Sequence, residues 1–126
     1  SDEDRTLLHR VGTLYVMPSP VELQSLSTLE AMASGQPIIA VRNGVLLELC
    51  HEHENGLLFE LDDPDDLAAQ IHTIVADPKL REHMSQESIR IAGTHELHNV
   101  IQQFIGIYQD VIARHDARAA AEPSKA

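Results

Sequence analysis

The chain has 126 residues, enough for one domain at most, and carries 9 Lys plus Arg against 20 Asp plus Glu, a net charge of −11. The electrostatic field of such a negatively charged chain repels nucleic acid and anionic membrane surfaces, so nucleic acid is disfavoured as a partner. The single cysteine, Cys50, excludes an intrachain disulfide and fits a reducing, cytoplasmic compartment, while apolar runs of about five residues are too short to span a bilayer.

The first third of the chain predicts the order helix, strand, helix, strand. Residues 1–12 have helical spacing, and Thr13–Met17 is β-branched and aromatic enough to be a strand that stops at Pro18. A polar turn leads into a helix that ends at Gly35. The continuous apolar run Pro37–Val41 is typical of a strand buried on both faces. The apolar stripe of the second helix is predicted to comprise Leu26, Leu29, Met32 and Ala33.

The rest of the chain predicts one more strand and mostly helices. Val45–Cys50 is predicted to be a short helix or helical turn, and Leu57–Phe59 a third strand after the turn signal Asn55-Gly56. Asp63-Pro64 and Asp77-Pro78 each resemble an N-cap followed by proline at the first helical position, which predicts helices over 64–76 and 78–92.

A last helix is predicted over 95–114, and residues 116–126 lack an apolar stripe, which indicates a flexible tail. The buried stripe of this helix is predicted to comprise Leu97, Val100, Ile101, Phe104, Tyr108, Val111 and Ile112.

Strands alternating with helices predict an α/β fold, a Rossmann-like parallel sheet with flanking helices. Three strands are too few for a complete doubly wound sheet, so the sheet is expected to be incomplete and the chain to be part of a larger domain. In such sheets ligands bind beyond the carboxyl ends of the strands, where Pro18–Ser25 is expected to lie.

This turn and the helix after it carry the strongest candidate site. Glu22 and Glu30 are eight residues apart, with the free backbone N–H groups of a helix start between them. Carboxylates accept hydrogen bonds from hydroxyls, and helix N-termini bind anions, so the stretch suits a ligand with hydroxyls and phosphate. The alternative for Glu30 is a capping box in which Ser27 is the N-cap.

The same stretch carries an ordered set of motifs. It comprises P-S-x-x-E, seven residues and a second Glu, and then A-M-A-S-G-x-P. Gly44-x-x-x-Glu48, the E-N-G-L-L turn, both Asp-Pro helix starts and the terminal helix follow in order, so the set extends from about Thr13 to Tyr108. It resembles the retaining nucleotide-sugar glycosyltransferases of family four (group 1), which have two facing Rossmann-like domains in the GT-B arrangement.

The resemblance implies that residues 1–115 are the C-terminal part of a GT-B donor-binding domain. That part would help an enzyme transfer a hexosyl group from a UDP- or GDP-linked sugar to a lipid or glycan acceptor, with retention. The missing upstream domain is then an expected partner, and the chain is expected to be inactive alone. The donor is a substrate, no cofactor or metal is implied, and segments absent from the chain could place the enzyme peripherally at a membrane.

The resemblance also assigns roles within the candidate site. Glu22 would lie by the donor sugar ring as the catalytic residue, and Glu30 would bind the ribose hydroxyls. The donor-binding set would be Glu22, Leu23, Gln24, Ser25, Leu26, Ser27 and Glu30, in which the backbone N–H groups of Leu23 to Ser27 hold sugar hydroxyls and diphosphate.

Two departures from the family pattern stand out. Many family members have glycine where this chain has Leu23 and Ser25. The family also supplies an Arg and a Lys for the diphosphate from an earlier segment, whereas Arg42 is the only Lys or Arg from Val11 to Pro78. The candidate site is therefore expected to be one wall of a larger site.

Other readings remain open. The chain could be a non-catalytic module that binds a nucleotide sugar, or a half-Rossmann scaffold that self-associates through its open sheet edge. The run of residues 50–54, C-H-E-H-E, offers alternation rather than ligand spacing that converges on one point, so no metal site is predicted.

Overall fold

The computed structural model describes residues 2–121. The strands are β1 (Tyr15–Met17), β2 (Ile38–Val41) and β3 (Gly56–Phe59). The helices are α1 (Asp2–Val11), α2 (Leu26–Ala33), α3 (Leu46–Leu49), α4 (Pro64–Ala76), α5 (Pro78–Thr94) and α6 (Leu97–Ala121). The chain divides into two units between Gly93 and Thr94. The first unit therefore contains the sheet and the candidate site, and α6 belongs to the second.

The three strands form one parallel sheet in the order β1-β2-β3, so the predicted Rossmann-like α/β fold is confirmed. Ile39 pairs with Val16 on one side and with Leu57 on the other, and every residue of β2 is fully buried. Burial of both faces explains the continuous apolar run that identified this strand. No strand among residues 2–121 pairs with the outer edge of β1, so the sheet is open there.

Helix α2 packs a different face on the sheet from the one predicted. Its buried residues are Thr28, Ala31 and Met32, and Leu29 is partly buried against the core. Leu26, predicted to be buried, is 61% exposed, and Ala33 is also exposed. The predicted apolar stripe was therefore wrong at these two positions, because the buried face of α2 is centred on Thr28, Ala31 and Met32.

The end of α2 and the starts of α4 and α5 are set by the glycine and the N-cap residues that the sequence predicted. Gly35 has a positive φ of 78°, and its N–H donates to the Met32 carbonyl, which ends α2. The Asp63 carboxylate accepts from the Asp66 N–H at 2.9 Å and caps α4. Asp77 caps α5 in the same way, since it accepts from the N–H groups of the second and third helical residues at 2.9 and 3.1 Å. These predicted helix starts are confirmed.

Helix α6 differs from its prediction in length and in burial. It continues to Ala121, and residues 122–126 of the predicted tail lie outside the described residues. The stripe predicted to be buried is exposed at Leu97, Ile101, Phe104, Tyr108, Val111 and Ile112, and only Val100 is partly covered. An amphipathic pattern identifies an apolar face without showing what covers it. No described helix is both long and apolar enough to cross a bilayer.

Candidate functional site

The candidate site lies where β1 ends at the carboxyl edge of the sheet. Residues 18–25 form an irregular loop between β1 and α2, as predicted for the ligand-binding edge. Glu22 is half-buried in this loop, whereas Leu23 is 96% exposed and Gln24 is exposed. The loop is therefore open to solvent at Leu23 and Gln24.

Helix α2 begins through an unusual N-cap. Ser25 is buried and adopts the left-handed conformation with φ 37° and ψ 59°, which non-glycine residues rarely adopt. Its hydroxyl lies 2.7 Å from the Thr28 hydroxyl, and its carbonyl accepts from the N–H groups of Thr28 and Leu29. The left-handed geometry explains why glycine suits this position in the resembling family.

The capping-box alternative for Glu30 is wrong. Ser25, rather than Ser27, is the N-cap, so Ser27 is the second helical residue and Glu30 the fifth. A capping box requires the glutamate at the third helical position. Glu30 therefore lies too deep in the helix to form a capping box.

Five consecutive backbone N–H groups, from Leu23 to Ser27, have no hydrogen-bond acceptor among residues 2–121. Leu23 and Gln24 belong to the loop, Ser25 is the N-cap, and Leu26 and Ser27 are the first two residues of α2. Free N–H groups at a helix start attract anions because the positive end of the helix dipole adds to their partial charges. The row is therefore suited to phosphate oxygens or sugar hydroxyls.

His9 of α1 lies beside Glu30, a contact that sequence spacing did not reveal. Its Nε2 is 4.0 Å from the Glu30 carboxylate, and its Nδ1 is 3.1 Å from the Gln36 amide oxygen. The His9 ring also contacts the Tyr15 ring, with centroids 5.8 Å apart. The 41% exposed Glu30 side chain can therefore accept from a ligand while His9 borders it.

Arg42 follows β2 at the same edge of the sheet, but its guanidinium is already engaged. It donates to both oxygens of Glu52, at 2.8 and 3.2 Å, and to Glu60 at 2.9 Å. The Arg42 hydrogen bond is the largest cause that holds the pKa of Glu52 below its usual value, and these carboxylates raise the pKa of Arg42 in turn. The structure therefore brings Arg42 to two carboxylates of the chain.

The histidine-rich run makes contacts of its own. His51 Nδ1 lies 3.1 Å from the Glu54 carboxylate, and the other oxygen of Glu54 accepts from Arg90 at 2.6 Å. No group of three or more His, Cys, Asp or Glu side chains in the described part of the chain converges as a metal site would. Cys50 is buried, and burial raises its pKa to about 12, which makes it a poor metal ligand or nucleophile.

Comparison with known proteins identifies the family and the fold of the chain. The chain is 32% identical over 113 residues to the D-inositol 3-phosphate glycosyltransferase of Acidothermus cellulolyticus, an alignment that covers 90% of this chain and 25% of that protein. Sucrose-phosphate synthase from Thermosynechococcus elongatus superimposes with a TM-score of 0.76 at 28% identity, over 86% of this chain and 27% of that one. The chain thus spans about a quarter of the length of these proteins.

A third similar protein was solved with a ligand. The Anabaena protein HepE in complex with UDP-glucose superimposes with a TM-score of 0.74 at 24% identity, over 85% of this chain and 30% of that one. This level of identity shows a shared fold. The sequence model of the family "Glycosyl transferases group 1" matches residues 1–90, which confirms the resemblance found in the motifs. The chain belongs to the glycosyl transferases group 1 family and has the Rossmann-like fold of a GT-B glycosyltransferase domain.

Proposed function

We propose that this chain forms one wall of the donor site of a hexosyltransferase that uses a UDP- or GDP-linked sugar. It is the C-terminal part of the donor-binding domain, and the upstream part of the enzyme completes the site. The observation that carries the proposal is the row of free N–H groups from Leu23 to Ser27, with Glu22 before it and Glu30 after it. The enzyme transfers the sugar to a lipid or glycan acceptor with retention of configuration.

The chemistry of glycosyl transfer explains why such a row is useful. Breaking the bond from the anomeric carbon to the diphosphate places negative charge on the leaving phosphate and positive charge on the sugar. Main-chain N–H groups fixed at the start of α2 stabilise the first charge without reorganisation. The Glu22 carboxylate stabilises the second, and Glu30 accepts hydrogen bonds from the ribose hydroxyls.

UDP-glucose is the first donor to test, because the similar Anabaena protein was solved with it. The acceptor has to be searched more widely, since one similar protein is named for D-inositol 3-phosphate and another for sucrose phosphate. We expect donor binding to be unchanged by EDTA. The negative charges of the diphosphate are met by backbone N–H groups and by basic side chains, an Arg and a Lys, from the upstream part of the enzyme.

The test uses the full-length enzyme and a panel of UDP- and GDP-sugars. We expect Glu30→Gln to weaken donor binding about ten- to a hundredfold, the value of a hydrogen bond to a charged group. Glu22→Gln should lower turnover by about a hundredfold while donor affinity changes little. Glu82→Gln, an exposed carboxylate on α5, is the matched control and should change neither.

Two results would contradict this proposal. One is a full-length protein that binds no sugar nucleotide of the panel. The other is equal loss of folding in both glutamate variants, which would leave them no separate roles. The anomeric configuration of the product, read by NMR, tests retention directly.

The open outer edge of β1 favours one alternative function, a scaffold that self-associates by strand pairing. Sedimentation of the protein without ligand separates the two: dimers lost on substitution of Val16 by proline would support the scaffold, and a donor-binding monomer would exclude it. A protein that binds donor but never transfers or hydrolyses it would instead be a non-catalytic binding module.

A further inference from the structure

The loop before α2, residues 18–24, is joined to the other described elements by few hydrogen bonds. The Asn43 side-chain N–H donates to the Pro20 carbonyl at 3.0 Å, across 23 residues of sequence. Within the described part of the chain, this is the only hydrogen bond that joins residues 18–24 to another element. The one other bond of this loop runs from Ser19 to Val21 inside it. The loop that carries Glu22 is therefore tied to the turn after β2 through Asn43.

Asn43 is itself held by a braced turn after β2. Its N–H donates to the Val41 carbonyl at 2.7 Å, and the neighbouring Arg42 N–H donates to the Phe59 carbonyl at 2.8 Å. The Arg42 side chain adds the three bonds to Glu52 and Glu60, so this turn is tied to β3 by backbone and by side chain. A bidentate pair fixes the orientation of the planar guanidinium relative to the carboxylate, so these bonds restrict how the turn can move.

We propose that Asn43 is a positioning residue for the loop of residues 18–24, which we call the donor loop. In this proposal Arg42 braces the turn that carries Asn43 and does not bind the diphosphate. This inference rests on the proposed function, because it concerns the same donor site. Arg42 is the only Lys or Arg between Val11 and Pro78, which would make it the obvious ligand for a diphosphate in this stretch. The inference assigns it a structural role instead.

Charge argues against Arg42 as a phosphate ligand. One guanidinium between two carboxylates forms a cluster with a net charge of about −1 at neutral pH, which repels a diphosphate. Three of the five guanidinium N–H groups already donate to these carboxylates, so a phosphate would have to share the guanidinium with two negative charges.

The first test compares two substitutions of Asn43 in the full-length enzyme. Asn43→Asp keeps the size but replaces the donor with an oxygen that repels the Pro20 carbonyl, whereas Asn43→Gln keeps an amide donor. We expect Asn43→Asp to raise the donor KM about three- to tenfold, the value of one hydrogen bond, and Asn43→Gln to recover most of this loss. An equal rise in donor KM in both variants would overturn the positioning role. So would a fall in the thermal unfolding midpoint that occurs in Asn43→Asp alone and parallels its rise in KM.

The second test turns on the sign of an effect. If Arg42 braces the turn, Glu52→Gln weakens the brace and lowers donor affinity, by about two- to fivefold for a partly exposed pair. If Arg42 binds the diphosphate, removing its competing carboxylate raises donor affinity instead. Glu82→Gln changes the net charge equally from beside Pro37, at the opposite end of the strands, and controls for long-range charge effects. A rise in affinity specific to Glu52→Gln would overturn the inference.

A measurement without ligand separates this inference from the proposed function. Amide order parameters of Val21 to Gln24, measured by NMR in the ligand-free protein, should fall in Asn43→Asp and recover in Asn43→Gln. A protein that binds no sugar nucleotide but shows this fall would lose the proposed function and keep the loop brace. Unchanged order parameters would remove the brace even where donor binding is intact.

Discussion

Substitution of Ser25 tests how the start of α2, and so the row of free N–H groups, is built. Ser25 is 4% exposed, its φ is 37°, and its hydroxyl pairs at 2.7 Å with that of fully buried Thr28. Ser25→Ala keeps the left-handed strain and removes the hydroxyl. Ser25→Gly removes the hydroxyl as well but also removes the strain, so the two variants separate the backbone from the hydrogen bond.

The magnitudes follow from burial. Ser25→Ala leaves the Thr28 hydroxyl without this partner in the core, which costs about 1–3 kcal/mol of unfolding free energy. A left-handed conformation costs about 1–2 kcal/mol in a residue with a Cβ, and the extra unfolded-state entropy of glycine offsets about 0.5–1 kcal/mol of that relief. Ser25→Gly should therefore be about 1 kcal/mol more stable than Ser25→Ala.

Urea unfolding measures the free energies, and a third variant closes the cycle. Ser25→Ala with Thr28→Val replaces both hydroxyls by apolar groups, and we expect it to recover most of the loss seen in Ser25→Ala. If Ser25→Gly unfolds at lower urea concentration than Ser25→Ala, Ser25 is not strained, and the account of the α2 start is refuted.

Further predictions concern the sheet, the pH dependence and the single thiol. Gly56→Ala would place a Cβ against a backbone carbonyl of β2 and should cost about 3 kcal/mol in urea unfolding, whereas Gly106→Ala in α6, where a Cβ meets open space, should stabilise that helix by about 1 kcal/mol. Because Arg42 lowers the folded-state pKa of Glu52, the stability difference between the wild type and Glu52→Gln should be present above the ordinary glutamate pKa of about 4.3 and shrink as the pH falls below it; an equal difference in urea midpoint at pH 7 and pH 3 would contradict this. Cys50, whose pKa is raised to about 12, should resist iodoacetamide at pH 8 in the native protein and react in urea, as mass spectrometry would show; rapid native alkylation would contradict its burial.

Features decided by adjacent residues could be predicted from sequence. The buried strand β2 follows from a run of apolar residues, and the starts of α4 and α5 follow from Asp63-Pro64 and Asp77-Pro78. The same holds for the placement of the donor loop, since the carboxyl end of a parallel strand is fixed by topology. The loop of residues 18–25 therefore lies at the edge of the sheet that the sequence predicted for it.

Features decided by distant contacts or rare backbone angles could not be predicted. The left-handed Ser25 shifts the helix start by two residues relative to a cap at Ser27, and nothing in the local pattern signals a serine with positive φ. The contacts of His9 with Glu30 and of Asn43 with Pro20 join residues more than 20 positions apart. The predicted burial of the α6 stripe was wrong for a related reason. Periodicity identifies an apolar face but does not show which residues pack against it.

A titration followed by NMR shows whether the free N–H groups bind a sugar nucleotide. Amide signals of Leu23 to Ser27 in the full-length enzyme are followed as UDP-glucose and then the other UDP- and GDP-sugars are added. We expect saturable shifts of these amides for at least one sugar nucleotide, at a dissociation constant that rises about tenfold or more in Glu30→Gln. Saturable binding that leaves these five signals unmoved would contradict a donor site at the start of α2.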